Sequence, residues 1–144
     1  MPTRTSSSVF RLRKHADYQR VYKASRKQFS RQMSYFFMLR SLDDATPATP
    51  RVGLTVGKVM GKAVDRNRIK RRMREAVRRN LPALSLPVDV VLHPKRSVID
   101  LDFAVLEREI AQVFLSIQKS AEEIARKQQE KSAARASMPS ATVQ

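Results

Sequence analysis

The chain has 144 residues, 42% of them hydrophobic, enough for one compact domain with a modest core and too many for wholesale disorder. It has no cysteine, which excludes disulfides and thiolate metal sites and suits a reducing cytoplasm. Its net charge is +16, from 29 basic and 13 acidic residues. No apolar run approaches the roughly 20 residues of a membrane span, and Met1 to Ser8 is polar, without the apolar segment of a signal peptide.

The distribution of charge says more than its size. Residues 1–40 carry a net +9 and residues 51–79 another +9, while residues 80–144 balance at zero. Self-repulsion of this kind works against compaction, and a polyanionic partner relieves it by releasing counterions. A membrane surface is the other anionic partner, but a membrane helix needs an apolar face free to insert. Here the apolar faces are needed for a core, so the balance favours nucleic acid.

In chain order, residues 1–8 read as a flexible tail, and residues 9–127 as a single domain. Lys14 to Ser25 predicts a short helix, with Tyr18, Val21 and Tyr22 near helical spacing and Asp17 near its start. Over Gln28–Ser41, Met33, Tyr35, Phe37 and Leu39 alternate as in a strand. Phe36 and Met38 fall on its other face, which calls for a second covering layer or an exposed binding surface. Asp43 to Pro50 reads as a loop.

Arg51–Gly57 predicts a second strand. Val52, Leu54 and Val56 form one face, and Gly53, Thr55 and Gly57 make the other small and open. The two strands, joined across a polar loop, suggest an antiparallel hairpin. Asp65 to Asn80 predicts a helix with Asp65 as N-cap, a stripe of Ile69, Met73, Ala76, Val77 and Leu81, and a stop at Asn80 and Pro82. Val88–Leu92 is almost wholly apolar, as in a central strand, and Pro94 ends it. Asp102 to about Lys127 predicts a long core-covering helix through Phe103, Leu106, Ile110, Val113, Phe114, Ile117, Ala121 and Ile124. Residues 128–144 show no stripe and read as a frayed, disordered tail.

Between Arg66 and Arg79, eight of fourteen residues are basic, and seven of those are arginine. At about 100° per residue, Asn67, Arg71, Arg74 and Arg78 lie opposite the Ile69 stripe; Arg68, Arg72 and Arg79 form one flank, and Lys70 the other. Arg66 lies about 60° from the stripe centre, where it can instead brace the helix against the sheet edge. Guanidinium groups bind phosphate bidentately and stack on bases. A solvated surface usually mixes signs, and only Glu75 opposes these charges locally.

The run Arg66-Asn67-Arg68-Ile69-Lys70-Arg71, followed by Arg74-Glu75, resembles the RNR signature of the bacterial ribonuclease P protein family. Arg51-Val52-Gly53-Leu54-Thr55-Val56-Gly57-Lys58 and Gly61-Lys62-Ala63-Val64 are similar to that family's approach to the RNR helix. Arg11-Leu12-Arg13 and Asp17-Tyr18-Gln19-Arg20-Val21-Tyr22-Lys23 resemble its RLxK and DFxxVF elements, with tyrosine where phenylalanine is commoner. These matches cover about residues 9–95 in order.

The resemblance implies an α/β (α+β) two-layer sandwich of order αβββαβα, with a small mixed sheet and a left-handed crossover around the RNR helix, against the usual handedness. The family's additional short strand would fall near Gln28–Arg31, where periodicity shows no signal. The resemblance also implies a ribonucleoprotein in which a catalytic RNA subunit holds the magnesium ions and cuts precursor tRNA, the protein itself binding no cofactor or metal. Arg66, Asn67, Arg68, Lys70, Arg71 and Arg74, with Lys58 and Lys62, would face the RNA subunit. Tyr18, Tyr22 and Phe36 would line a cleft for the single-stranded 5′ leader, where rings stack on bases. Spacing alone leaves Tyr18 and Tyr22 as core aromatics.

No residues read as a catalytic site in the chain itself. His15 and His93 are far apart and expected at solvent or as caps, and no carboxylates cluster in the basic segments. A structural ribosomal protein and a DNA-binding regulator are the competing readings.

Overall fold

The computed structural model describes residues 11–41 and 49–137. The expected tail at residues 1–8 and most of the loop after residue 41 lie outside them. Helix α1 (His15–Ala24) is followed by strands β1 (Gln28–Phe29), β2 (Met33–Leu39) and β3 (Arg51–Leu54). Helix α2 (Ala63–Asn80), strand β4 (Val88–Pro94) and helix α3 (Phe103–Ser137) complete the order αβββαβα. The short strand implied near residue 28 is β1.

The four strands run β1-β2-β4-β3 across one sheet. The expected β2/β3 hairpin does not form, because β4 lies between them, antiparallel to β2 and parallel to β3. The reason lies in β4 itself. Val88, Val90, Val91 and Leu92 are fully buried, so both faces and both edges of this strand need cover. Parallel pairing of β3 with β4 then requires a crossover, which α2 supplies. β3 ends at Leu54, three residues earlier than expected, although Val56 still packs into the core.

One sheet face is covered by α2 and α3. Met33, Tyr35 and Phe37 of β2, Val52 of β3 and Val88, Val90 and Leu92 of β4 meet Ile69, Met73, Ala76 and Val77 of α2 and Leu106, Ile110, Phe114 and Ile117 of α3. Each fully buried aliphatic side chain there contributes about 1.5–3 kcal/mol. The opposite face carries α1 and a smaller cluster: Leu12, Val21 and Val91, with Tyr18, Tyr22, Phe36 and Met38 half-buried around them.

Two helix termini differ from expectation. α2 starts at Ala63, with Lys62 as an N-cap that makes no side-chain bond, so Asp65 is not the cap. Gly61 has φ 123°, a left-handed conformation open to glycine, and it turns the chain into the helix one residue before Lys62. Asp65 sits in the first turn, where its charge still favours the helix dipole. At the other end of the chain, α3 does not stop near Lys127: it continues to Ser137, so residues 128–137 are helix, and residues 138–144 lie outside the described part. Alanine, glutamine, lysine and arginine propagate a helix at little cost without a core stripe. The Arg126 to Glu130 ion pair at 3.0 Å supports this extension. Among the described residues no helix is long and apolar enough to cross a membrane.

Under α1 lies a buried ion network. Asp89 of β4 is fully buried and receives Arg40 Nη1 at 2.6 Å and the Arg51 fork at 2.9 and 2.8 Å. Arg51 also reaches Asp17 of α1 at 3.7 Å. Removing one partner of a buried pair strands the remaining charge, so Asp89→Ala should lower stability by about 3–5 kcal/mol in urea unfolding followed by circular dichroism.

Candidate nucleic-acid interface

The basic residues of α2 are sorted by what already holds them. Arg72 donates to the carbonyls of Val98 (3.0 Å) and Leu101, and Arg68 donates to that of Ile99 at 3.2 Å. Both tie α2 to the 3-10 turn at Arg96–Ile99 and the residues after it. Arg78 and Arg79 close on Glu75 at 2.6 and 2.9 Å, and Arg79 also lies 5.0 Å over the Phe103 ring. These two guanidinium groups hold the Glu75 carboxyl down at about 2. Arg66 Nε donates to the Gly61 carbonyl at 3.2 Å, bracing the turn that precedes the helix.

Arg71 and Arg74 remain. Among the described residues no carboxylate lies within ion-pair distance of either, and both are exposed on the face opposite the core stripe. Burial first, and then the charge of Arg11, lower the pKa of Arg74. Asn67, Lys58 and Lys62 are exposed and Lys70 half-buried. Lys58 and Lys62 stand at the N-terminal end of α2, where the helix dipole adds positive potential. Of the eight residues predicted to face RNA, Asn67, Arg71 and Arg74 lie opposite the core stripe, Lys58 and Lys62 stand at the N-terminal end of α2, Lys70 is half-buried on one flank, and Arg66 and Arg68 are bonded to neighbouring backbone.

The aromatic residues gather on the α1 face. Tyr22 and Phe36 meet edge-on, with ring centroids 4.9 Å apart. His93 joins them, 5.8 Å from Tyr22 and 5.5 Å from Phe36, and its Nε2 lies 3.0 Å from the Tyr22 hydroxyl. All three are half-buried, with part of each ring open to solvent. Tyr18 stands apart, over β3. Its hydroxyl donates to the Leu12 carbonyl at 3.2 Å and reaches that of Leu54 at 3.5 Å, and burial pushes its pKa up so that the proton stays. The open face expected at Gly53 is what admits this ring: a Cβ there would come within 2.4 Å of the Tyr18 hydroxyl.

The sequence reading expected His93 at solvent or as a cap; it is instead half-buried against Tyr22 and Phe36. A single histidine at the end of an apolar strand carries no local signal. Its placement follows from register, since the pairing of Ser34 with His93 and of Phe36 with Val91 puts it diagonally beside Phe36.

The His93 environment is testable through pH. Burial, with the charge of Lys27 second, lowers its pKa below the ordinary 6.5. Folding therefore lowers the pKa, and below about 6.5 the unfolded chain binds the proton more readily. The stability that the neutral ring contributes is present above 6.5 and declines as pH falls toward the folded value. A histidine NMR titration should place the His93 midpoint below 6.5, and His93→Gln should flatten the fall in thermal stability between pH 7 and pH 5.

A family model, Ribonuclease P, matches residues 7–118. The chain is similar to the ribonuclease P protein component of Bacillus velezensis, 36% identical over 104 residues that span 72% of this chain and 85% of that protein. Its similarity to the component from Finegoldia magna is also 36%, over 103 residues, 72% of this chain and 86% of the other. Among solved structures it resembles the Staphylococcus aureus RNase P protein, with TM-score 0.61 and 27% identity over 76% of this chain and 95% of that one. The fold is shared with the RNase P protein of Thermotoga maritima, at TM-score 0.62 and 24% identity over 72% of this chain and 94% of the other. By the extent of the family match and the identity to these relatives, the chain belongs to the ribonuclease P protein family.

Proposed function

We propose that this chain docks the outward face of α2 onto the RNA subunit of ribonuclease P and receives the single-stranded 5′ leader of precursor tRNA along the α1 face of the sheet. The observation that carries the reading is the division of the surface. Among the described residues no carboxylate pairs with Arg71 or Arg74, which point away from the core, while Tyr22, Phe36 and His93 offer partly open rings on the opposite side of the sheet.

In this reading the cations at Lys58, Lys62, Arg66, Asn67 (as a neutral donor), Arg68, Lys70, Arg71 and Arg74 supply phosphate contacts. These position RNA without reading its sequence. The Tyr22, Phe36 and His93 rings stack on leader bases, which tolerates any sequence because every base has a π-face. Tyr18 borders the same cleft at the β3 side. Hydrolysis belongs to the RNA subunit and the magnesium ions it holds, with the protein acting in the cytoplasm as a binding subunit. Of the acids near these surfaces, Asp17, Asp89 and Glu75 are each committed to arginines, and Asp65 sits in the first turn of α2.

Reconstitution of the full chain with the RNA subunit and precursor tRNA at low magnesium tests the reading. The holoenzyme should bind leader-bearing precursor more tightly than mature-ended tRNA; equal affinity would remove the cleft from the function. Arg71→Ala should reduce the salt dependence of RNA-subunit binding by roughly 0.7–0.9 in log–log slope. Arg72→Ala should mainly lower thermal stability, because its bonds run to the protein's own carbonyls. Phe36→Ala should weaken leader binding by about 1–3 kcal/mol in a filter-binding titration, with RNA-subunit affinity unchanged.

A further inference from the structure

The β3 edge of the sheet carries a second concavity, distinct from the aromatic cleft. Its floor is apolar, made by Val52 and Leu54 of β3 and Val77 of α2. Its rim is cationic: Arg11 from the segment preceding α1, and Arg71 and Arg74 from α2. The volume is about 290 Å³, at the small end of ligand pockets. Glu75 and Arg78 also border it, already paired with each other at 2.6 Å.

Sequence explains how the rim forms. Arg11 bridges to Val52 in parallel, and Leu12 N donates to the Val52 carbonyl at 3.1 Å, so the incoming chain lines the outer edge of β3. Leu12 turns into the α1-side cluster, which leaves its neighbour Arg11 to point toward α2. Arg11 and Arg74 therefore face one another from segments 63 positions apart, with no described carboxylate within ion-pair distance of either. Partial burial first, and then the charge of Arg11, lower the pKa of Arg74. An apolar floor beside two unneutralised guanidinium groups is the chemistry of a planar, weakly polar ring carrying an anion.

We propose that this pocket holds one unpaired nucleotide, its base against Val52, Leu54 and Val77 and its phosphate between Arg11 and Arg74. A residue of the RNA subunit and a free mononucleotide share this chemistry. The RNA source rests on the docking of α2 proposed above; the pocket itself does not. A base held here would add an apolar, salt-independent contact to a surface that otherwise binds by charge.

Two arms test it on the full-length chain. In the first, RNA-subunit affinity is measured against salt. Leu54→Phe, which fills the floor without altering charge and leaves no room for the base, should weaken binding about tenfold at unchanged salt slope. Arg11→Gln and Arg74→Gln should lower the slope instead. In the second, adenosine 5′-monophosphate and inorganic phosphate are titrated against methyl NMR signals. The nucleotide should shift Val52, Leu54 and Val77, and phosphate alone should leave them in place.

Normal RNA affinity of a folded Leu54→Phe, together with methyl shifts by the mononucleotide, supports the site and assigns it to a free nucleotide. Normal affinity with no methyl shifts overturns the proposal. If the wild-type chain fails to bind the RNA subunit at all, the docking reading fails while the nucleotide titration still decides the pocket. Should Leu54→Phe not fold, Arg11→Gln and the titration decide it.

Discussion

Asp89 is a charged residue near the start of the central strand, flanked there by Val88, Val90, Val91 and Leu92, and it has no access to solvent. Taking a carboxylate out of water costs several kcal/mol, and only close, well-directed partners offset it. Arg40 follows β2 and Arg51 opens β3, so the two guanidinium groups that neutralise Asp89 come from the strands on either side of β4. A hydrophobic residue at position 89 would be served equally well by other neighbours. A carboxylate is served by this pairing and register, in which Met38 and Arg51 flank it on one face. Through Arg51 the network extends to Asp17, and so also sets where α1 lies on the sheet.

The position of α1 has consequences for both the aromatic cleft and the cationic face. It brings Tyr22 against Phe36 and His93, and it lays Tyr18 over Gly53. The Tyr18 hydroxyl in turn holds the Leu12 carbonyl, which steadies the segment carrying Arg11 at the β3 edge. The two cationic stretches of the chain, far apart in sequence, are thereby brought to one rim. Their repulsion is tolerable because the groups open toward solvent, where water and salt screen it.

Within α2 the arginines divide the labour by reach. Those on the flank toward α3 and the following turn find backbone carbonyls, the Phe103 ring and Glu75, and so fasten the helix. Opposite the core stripe Arg78 is taken up by Glu75, while Arg71 and Arg74 have no carboxylate within ion-pair distance among the described residues. The same residue type thus fastens the helix on one side and, in the proposed reading, meets RNA on the other. Arginine suits both, since its planar fork can bond carbonyls and phosphates alike. The helical extension of α3 beyond Ala121 is built differently. It lies past the part that matches the family and rests on helix-forming residues and ion pairs spaced along its own surface.

Local periodicity determined the helices and most strands, because 3.6-residue and two-residue repeats are imposed by the backbone within a few neighbours. The central place of β4 followed from its almost wholly apolar run, and the outward arginine face of α2 from the angle between its arginines and Ile69. Four ordered motifs carried the family. Strand order, the insertion of β4 between β2 and β3, and the burial of Asp89 between two arginines were decided only by the tertiary structure. So were the entry of His93 into the aromatic cluster and the meeting of Arg11 with Arg74. Each of these depends on residues tens of positions apart, whose proximity is settled by competition for a shared buried surface; no repeat along the chain records the result of that competition.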